Sequence, residues 1–240
     1  MDHCIFFSDL HLLSRRSEGL KYQREIFQKT KRAQAVVLGG DIFDFKWSEG
    51  KTFEQSIDWS IGWLRRLIVN AADAKFYYLL GNHDAHPQFL KALDWLSLET
   101  EHQFEWRAHW LKLNNSVFLH GDVLDANNCH QRLDAKRLVL SHKQVSAPIV
   151  HQLYDVAIKA KLHRAVIGIA ARPGRVMPAL TDYLSQQQLS FEQGVEHIYF
   201  GHTHRPMEES RYQNGCFHNG GAAISGLSFR IIDFQLPESS

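Results

Sequence analysis

Histidine and aspartate recur at short, regular spacing along this chain, and both residue types bind metals and transfer protons. The 240 residues include 15 histidines. The metal-competent side chains fall into motifs that read, in chain order, D-x-H, G-D-x-x-D, G-N-H-D, H-G-D and G-H-T-H. The candidate ligands in them are Asp9, His11, Asp41, Asn82, His120, His202 and His204. This set offers oxygen and nitrogen atoms without a thiolate, which suits Mn, Fe or Zn better than Ca or a structural zinc site.

Each motif has an ordinary structural explanation when it is taken alone. Asp41 can cap the N-terminus of a helix. His202 and His204 can simply alternate along a strand or a loop. The ordered series is much harder to explain by chance, so the sequence favours a metal site built from all of the motifs.

A short apolar run precedes every motif and predicts a buried strand there. The runs cover residues 5–7, 35–38, 76–80, 117–119 and 198–200. In α/β proteins, ligands bind at the carboxyl ends of the strands, where loops from separated segments meet. The sequence therefore predicts an α/β fold that brings the motifs together at one edge of the sheets.

Helical patterns fill the intervals between these strands. Apolar residues three or four apart predict a helix over 53–70, with a buried face that includes Trp59 and Trp63. After residue 122 the pattern is mostly helical, with helices expected at 134–143, 149–164 and 176–188. We interpret 125–192 as a helical cap inserted into a single domain that spans 1–240. Residues 216–235 alternate like a β-hairpin, with 219–221 as a loop near the site.

The predicted insertion is basic, although the whole chain has a net charge of only +1. Between residues 126 and 175 there are nine Lys or Arg and two Asp, a local charge of +7. Such a segment either attracts an anionic substrate, with Lys136 and Arg137 as candidate contacts, or forms a solvated surface. Its apolar residues either line an acyl groove or pack two helices together. The sequence leaves both pairs of alternatives open.

The order of the motifs resembles that of the calcineurin-like metallophosphoesterases, and the resemblance extends from Asp9 to Asn219. It implies a four-layer αββα sandwich of two mixed sheets, here with the helical cap insertion. The ligand sets that it implies are Asp9, His11, Asp41 and His204 for one metal, and Asp41, Asn82, His120 and His202 for the other. Asp41 would bridge the two ions. We expect Mn²⁺ as the metal, with Fe or Zn as alternatives.

Two cations about 3.5–4 Å apart share a hydroxide that attacks phosphorus in line, and they neutralise the phosphoryl oxygens. The leaving oxygen then needs a proton donor. The resemblance gives that role to His83, paired with Asp44, because a carboxylate there favours the imidazolium. We expect Asp84 to cap a turn, Asp122 to support a ligand histidine, and Arg205 to contact a substrate phosphate.

One branch of this family, the bacterial UDP-2,3-diacylglucosamine pyrophosphatases of lipid A synthesis, shares further features with the chain. These are the start F-x-S-D-L-H-L, the motif G-D-I-F-D, the terminal G-H-T-H-R-P and a basic helical insertion. One position differs, because the best-known form of that enzyme has Arg after the ligand Asn, where this chain has His83. The resemblance implies a lipid-linked nucleotide sugar as substrate.

Two other functions remain open at this point. One is a phosphatase or phosphodiesterase that acts on a small nucleotide or on a phosphoprotein. The other is a metal-stabilised interaction module without turnover. A nucleic-acid partner is not expected, because no recognisable DNA- or RNA-reading module is present. The sequence does not indicate an oligomeric state.

The cysteine pattern and the hydropathy of the chain indicate its cellular compartment. Cys4, Cys129 and Cys216 form no C-x-x-C pair, which argues against a zinc knuckle and a disulfide framework and fits a reducing cytosol. The first residues lack the basic and apolar regions of a signal peptide. No stretch approaches the roughly 18 apolar residues that span a bilayer. We therefore expect a cytoplasmic protein, with peripheral contact between the basic cap and the inner face of a membrane as an alternative.

Overall fold

The computed structural model describes residues 2–48, 52–141 and 171–236, and within them the chain forms ten β-strands and five α-helices. The strands are β1 (Asp2–Phe7), β2 (Ala35–Leu38), β3 (Lys75–Leu79), β4 (Phe104–Arg107), β5 (Trp110–Leu113), β6 (Ser116–Leu119), β7 (His197–Phe200), β8 (Met207–Tyr212), β9 (Gly215–Asn219) and β10 (Ile232–Leu236). The α-helices are α1 (Gln23–Thr30), α2 (Phe53–Val69), α3 (Pro87–Glu99), α4 (His130–Ser141) and α5 (Pro173–Gln186).

The strands form two five-stranded sheets, both of mixed direction. The order in the first sheet is β10-β1-β2-β3-β4, and the order in the second is β5-β6-β7-β9-β8. In the first sheet β1 to β4 are parallel, while β10 pairs antiparallel with β1. In the second sheet β6, β7 and β9 are parallel, and the two edge strands are antiparallel to their neighbours. The parallel strands of each sheet therefore end at a common edge.

Three groups of buried side chains separate the layers. Between the two sheets, Phe6 of β1 packs against Phe118 of β6 and Tyr199 of β7, with ring centroids 5.9 and 5.8 Å apart. The outer face of the first sheet packs against α1, α2 and α3. The outer face of the second sheet packs against α4 and α5. The layers thus follow the order helix, sheet, sheet, helix, which confirms the predicted αββα sandwich.

Helix α2 shows how the sequence specifies this packing. It begins at a capping box, in which Thr52 Oγ1 accepts from the Gln55 N–H and Gln55 Oε1 accepts from the Thr52 N–H. Its buried face includes Ile57, Ile61, Leu64 and Ile68. Trp63 is fully buried, and Trp59 packs against the same core. The helix predicted over 53–70 is confirmed, and both tryptophans belong to the core.

The predicted strands are confirmed as β1, β2, β3, β6 and β7. The hairpin expected over 216–235 is wrong. β9 pairs with β7 and β8 in the second sheet, whereas β10 returns to the first sheet and pairs with β1. Alternation along a strand shows that one face is buried, but it does not identify the neighbouring strand.

The segment predicted as a cap contains α4 and α5, which correspond to the helices expected at 134–143 and 176–188. The helix expected at 149–164 lies outside the described residues. α5 buries Val176, Leu180 and Leu184 against the second sheet, so it belongs to the outer helix layer of the sandwich. The cap boundaries 125–192 stay a prediction.

Helix length and hydropathy bear on membrane insertion. α2 has 17 residues, and its exposed face includes Arg65 and Arg66. Across residues 2–48, 52–141 and 171–236, no helix combines the length and the apolar character that a membrane span requires.

Candidate metal centre

Strand ends from both sheets meet at one edge of the sandwich, and the predicted ligands lie in the loops that follow them. The loops after β1, β2 and β3 carry Asp9, His11, Asp41 and Asn82, and the loops after β6 and β7 carry His120, His202 and His204. Backbone hydrogen bonds join neighbouring loops, since the Asp9 N–H donates to the Gly40 carbonyl at 3.0 Å and the His11 N–H to the Asp41 carbonyl at 2.9 Å. Loops of the first sheet and loops of the second sheet thus both contribute side chains to the predicted metal centre.

The ligand atoms form overlapping groups, in each of which they lie within 4.8 Å of one another. The groups are Asp9, His11 and His204; His11, Asp41 and His83; and Asp41, His120 and His202. His11 and Asp41 each belong to two groups, and the two oxygens of the Asp41 carboxylate allow it to contact two adjacent metal ions. His83, predicted as a proton donor, lies within the same range.

Two buried side-chain atoms at the predicted ligands lack a hydrogen-bond partner among the described residues. A metal cation that accepts their lone pairs would satisfy both. His120 Nδ1 donates to the Gly39 carbonyl at 2.9 Å, which leaves a lone pair on Nε2. That Nε2 is buried without a hydrogen bond, 3.2 Å from Asp41 Oδ2. Asn82 Oδ1 is also buried and unpartnered. Two acceptor atoms repel unless a proton or a cation lies between them. Burial lowers the pKa of His120, but the charge of Asp41 outweighs it and raises that pKa to about 10, so without a metal a proton lies there. A bound metal would take the place of that proton, so these residues fit a metal site.

Asp9, His11 and His204 close the other side of the cluster. His204 Nε2 lies 3.3 Å from Asp9 Oδ1 and 3.2 Å from His11 Nε2. The Asp9 carboxylate also accepts from the His202 N–H at 3.0 and 3.1 Å, which fixes its orientation. Three side chains from opposite ends of the chain therefore point their acceptor atoms at one small volume.

The backbone of these loops is strained. Five of the ligands have positive φ angles, which non-glycine residues rarely adopt. They are Asp9 (54°), His11 (49°), Asp41 (51°), His202 (62°) and His204 (55°). Such residues cost about 1–3 kcal/mol each and cluster at functional sites. The concentration of strained residues at the predicted ligands supports a function for these loops.

Two glycines allow the carboxylates to approach the backbone of other loops. A Cβ atom at Gly81 would lie 2.1 Å from Asp41 Oδ1, and one at Gly201 would lie 2.3 Å from Asp9 Oδ2. Either distance is far below van der Waals contact. Glycine is therefore required at both positions for the two carboxylates to reach the cluster.

The carboxylates of the cluster stay ionised although they are buried. Burial by itself raises the pKa of a carboxyl group. At Asp9 the hydrogen bond to His204 and the charge of His120 outweigh burial, and at Asp41 the charges of His120 and His83 do so, so that both pKa values are lowered. Buried negative charge of this kind requires compensation by protons on histidine or by metal cations.

His83 and Asp44 form a hydrogen-bonded pair beside the cluster. His83 Nδ1 lies 2.9 Å from Asp44 Oδ1, and Asp44 Oδ2 lies 3.5 Å from His11 Nδ1. Burial lowers the pKa of His83, but the charges of Asp44 and Asp41 outweigh it and raise that pKa to about 9. The imidazole therefore carries a proton at neutral pH. The sequence prediction of this pair agrees with the contact.

Asp84 caps the turn after β3, as expected. Its Oδ1 accepts from the Gly81 N–H at 2.7 Å, and its Oδ2 accepts from the Ile42 N–H at 3.0 Å and the Tyr78 hydroxyl at 2.6 Å. These bonds join the loops after β2 and β3. Asp84 therefore positions the turn that carries Asn82.

Asp122 binds Arg137 directly, and its charge helps to raise the pKa of the predicted ligand His120, as expected of a residue that supports a ligand histidine. Its carboxylate accepts two hydrogen bonds from Arg137, both at 2.8 Å, and Arg137 also donates to the Leu80 carbonyl at 2.6 Å and to the Ala108 carbonyl. Arg137 is 5% exposed. This places its guanidinium inside the fold, which favours a structural role over the substrate contact expected from the sequence.

The other two candidate substrate contacts lie on the surface. Lys136 is exposed, and its Nζ donates to the Asp125 carbonyl at 3.1 Å and lies 3.5 Å from Asp125 Oδ2. Arg205 is half-buried and directly follows His204. Both residues remain candidates for binding an anion.

Sequence reasoning missed Asp125, which lies in the 3-10 helix Asp122–Ala126. Its Oδ2 is 3.4 Å from His202 Nε2, and this contact lowers the pKa of Asp125 to about 2. No motif singles it out, because its proximity to His202 depends on the pairing of β6 with β7. Asn219, noted only as part of a loop, donates to the Gly201 carbonyl at 3.0 Å and to Thr203 Oγ1 at 3.1 Å.

The chain thus combines two mixed sheets between helix layers with buried His and Asp side chains at the strand ends. The family model for calcineurin-like phosphoesterases matches residues 3–206. The chain belongs to this family, whose members bind two metal ions, and the buried clusters fit such a dinuclear site. No curated protein matches the chain. One similar solved structure is Yfce, a phosphoesterase from E. coli, with 15% identity and a TM-score of 0.43 over 93% of this chain and 82% of that one.

Proposed function

We propose that this chain hydrolyses a phosphoester or pyrophosphate bond with two divalent metal ions held between its sheets. The proposed ligands are Asp9, His11, Asp41 and His204 for one ion, and Asp41, Asn82, His120 and His202 for the other. The buried, unpartnered Asn82 Oδ1 and His120 Nε2 carry the proposal, because a cation would satisfy both atoms and His120 Nε2 lies 3.2 Å from the ionised carboxylate of Asp41. Mn²⁺ is the proposed metal.

The residues around the ions have distinct roles in this proposal. When bound, two adjacent cations activate water near neutral pH and neutralise the phosphoryl oxygens. Asp41 lies between the two ligand groups and holds them together. The Gly39 carbonyl fixes the ring of His120, and the backbone N–H of His202 fixes the carboxylate of Asp9. Fixed ligands keep the site assembled while substrate binds.

His83 is the proposed proton donor to the leaving oxygen. Its Nδ1 donates to Asp44, so the proton on Nε2 is available to the substrate. The raised pKa of His83, about 9, keeps both nitrogens protonated at neutral pH. Its side chain is 22% exposed, whereas that of Asp44 is 5% exposed, so His83 faces the open side of the pair.

Hydrolysis is tested with metal-stripped protein that is reloaded with Mn²⁺ and assayed on a chromogenic phosphodiester. We expect turnover in the wild type and loss to background in Asn82→Ala and His120→Ala. His102→Ala is the matched control, because His102 lies in the turn between α3 and β4 and bonds to Ser97. Absence of turnover on a broad phosphoester panel with Mn, Fe or Zn would favour an interaction module instead.

We propose a nucleotide-linked pyrophosphate as the physiological substrate, with UDP-2,3-diacylglucosamine as the first compound to test. The support is the shared sequence pattern at the first, second and last motifs and the basic segment over 126–175. Lys136 and Arg205 are the candidate phosphate contacts. A cytoplasmic protein whose basic cap touches a membrane surface fits such a lipid-linked substrate.

The substrate proposal is tested by comparing kcat/KM on detergent-solubilised UDP-2,3-diacylglucosamine with kcat/KM on a plain UDP-sugar. We expect a clear preference for the lipid-linked compound. Equal values would reject the lipid assignment and support a phosphatase or phosphodiesterase for small soluble substrates. Lys136→Ala should raise KM for both compounds if this lysine binds phosphate.

A further inference from the structure

A second cluster of metal-binding residues lies at the other end of β7. His197 is the first residue of β7, whereas the metal centre follows its last residue, Phe200. In the neighbouring strand β9, Cys216 pairs with His197 and His218 pairs with Tyr199. Because side chains two residues apart share a face of a sheet, His197, Cys216 and His218 lie on the same face. Their ligand atoms are within 4.8 Å of one another.

The nitrogen atoms of this cluster have the spacing of a tetrahedral zinc site. His197 Nδ1 and His218 Nε2 are 3.1 Å apart. Zn–N bonds of about 2.0–2.1 Å at a tetrahedral angle place two nitrogens about 3.3 Å apart. The ring of His218 stacks on Tyr199, with centroids 4.5 Å apart, which holds it in place. A plain hydrogen bond between the two rings is the alternative explanation of the short distance.

We propose that His197, Cys216 and His218 bind zinc at a site separate from the catalytic centre. Two imidazoles and one thiolate are ligands that zinc prefers, and water is the fourth ligand. His197 and Cys216 keep part of their surface exposed, so solvent can reach the fourth position. The site is empty.

The protonation states of His218 and Cys216 are compatible with zinc binding. The metal needs neutral imidazoles and a thiolate. Burial, together with the charges of His197 and Arg230, lowers the pKa of His218 to about 4, so this ring is neutral at pH 7. Burial and the charge of Glu209 raise the pKa of the Cys216 thiol. Formation of the Zn–S bond therefore releases the thiol proton to solvent.

The position of the site indicates a structural role. Zinc there joins β7 to β9. β7 leads into the loop of His202 and His204, and Asn219, next to His218, binds the backbone of that loop at Gly201. Bound zinc would stabilise β7 and β9, the two strands that position the loop of His202 and His204.

Cobalt spectroscopy tests the site directly. Protein whose catalytic centre is filled with Mn²⁺ is titrated with Co²⁺, and the near-ultraviolet thiolate-to-cobalt band is recorded. We expect a band that saturates at one equivalent, disappears in Cys216→Ser and persists in Cys129→Ser, the control at a partly buried cysteine outside the sheet. No band in the wild type, or a band unchanged in Cys216→Ser, overturns the proposal.

Alkylation of the wild-type protein gives a second test that needs no cysteine variant to fold. Iodoacetamide labelling is followed by mass spectrometry with and without Zn²⁺. We expect Zn²⁺ to slow labelling of Cys216 at least about tenfold, because a metal-bound thiolate is a poor nucleophile towards the reagent, while Cys129 is unaffected. His218→Gln should remove the protection. Equal rates of Cys216 labelling with and without Zn²⁺ contradict the site.

Discussion

Histidine ring nitrogens perform different tasks at neighbouring positions of the metal centre. His120 donates from Nδ1 to a carbonyl and directs Nε2 at Asp41, where a metal ion can replace the proton on Nε2. His83 donates from Nδ1 to a carboxylate and stays protonated on both nitrogens, which suits an acid. Both rings have a raised pKa despite burial, through Asp41 at His120 and through Asp44 and Asp41 at His83. They differ in what the free nitrogen faces, because Nε2 of His120 is buried against Asp41, whereas the His83 side chain is 22% exposed.

The acid role of His83 predicts a leaving-group dependence. His83→Ala should lower kcat by about 10²–10³-fold on an alkyl phosphodiester, since an alkoxide needs a proton to leave. The loss on a p-nitrophenyl ester should be much smaller, because that phenolate leaves without one. Steady-state kinetics on the two esters check this. Equal losses on both, together with a fall in bound metal, would identify His83 as a ligand instead.

The lowered pKa of His218 predicts that protein stripped of metal loses stability as the pH falls. The unfolded chain protonates this ring near its ordinary pKa of 6.5, whereas the folded chain does so at about 4. The unfolded state therefore binds more protons between these values, and the free energy of unfolding falls by up to about 3 kcal/mol as the pH drops from 6.5 to 4. Urea unfolding across this range measures the effect. The pH slope should flatten in His218→Gln.

Loops after the strands determine whether the ligands meet, and glycine is decisive there. Gly81→Ala should displace Asp41 and abolish stable metal binding, because the added Cβ would overlap its carboxylate and its backbone nitrogen, at 2.1 and 2.5 Å. Gly62→Ala is the matched control. Its nearest atom is Arg66 Nη1 at 3.8 Å, and alanine should stabilise α2 by up to about 1 kcal/mol. Metal content and thermal unfolding distinguish the two outcomes.

Arg137 attaches helix α4 to the loops that follow the strands of the first sheet. Replacing this arginine should lower the free energy of unfolding. Arg137→Leu leaves the buried Asp122 carboxylate without its partner, so we expect a loss of about 3–5 kcal/mol in the free energy of unfolding. Lys136→Leu, one residue away and exposed, should change it by less than about 1 kcal/mol. Urea unfolding measures both variants. Normal stability with a raised KM in Arg137→Leu would restore the substrate role expected from the sequence.

Sequence patterns predict the local part of this structure and miss its tertiary part. Strands, α2 and the ligand motifs follow from apolar periodicity and from residue types at strand ends. The contact of Asp122 with Arg137 links a 3-10 helix to α4, and the pairing of β10 with β1 joins residues far apart in the chain. So does the cluster at Cys216, which no C-x-x-C pattern indicates. Such contacts depend on which strands become neighbours, and a single sequence does not encode that in any local pattern.

The whole molecule is held together at the metal centre as well as in its core. Ligands from the first sheet and from the second lie within 4.8 Å of each other, for example Asp41 and His120. A cation bound there links the two sheets only in the folded state, so it should stabilise that state.

Chelation should therefore lower the melting temperature. At a free metal concentration of about 100 times the dissociation constant, each bound metal adds about 2.7 kcal/mol to the free energy of unfolding. Two metals together correspond to a shift of about 10 °C or more in the melting temperature. Calorimetry with and without EDTA checks this, and Asn82→Ala should show a smaller shift. An unchanged melting temperature after verified metal loss would show that the sheets do not depend on the ions.

The positive φ angles of the ligand loops have a consequence for evolutionary drift. At these positions glycine or asparagine suits the backbone better than aspartate or histidine does, so selection for folding alone favours replacement. Only selection for catalysis opposes it. In a lineage that has lost the need for hydrolysis, the positions of Asp9, Asp41 and His204 should be among the first to change. Their identity in a descendant is then a record of whether the enzyme still works.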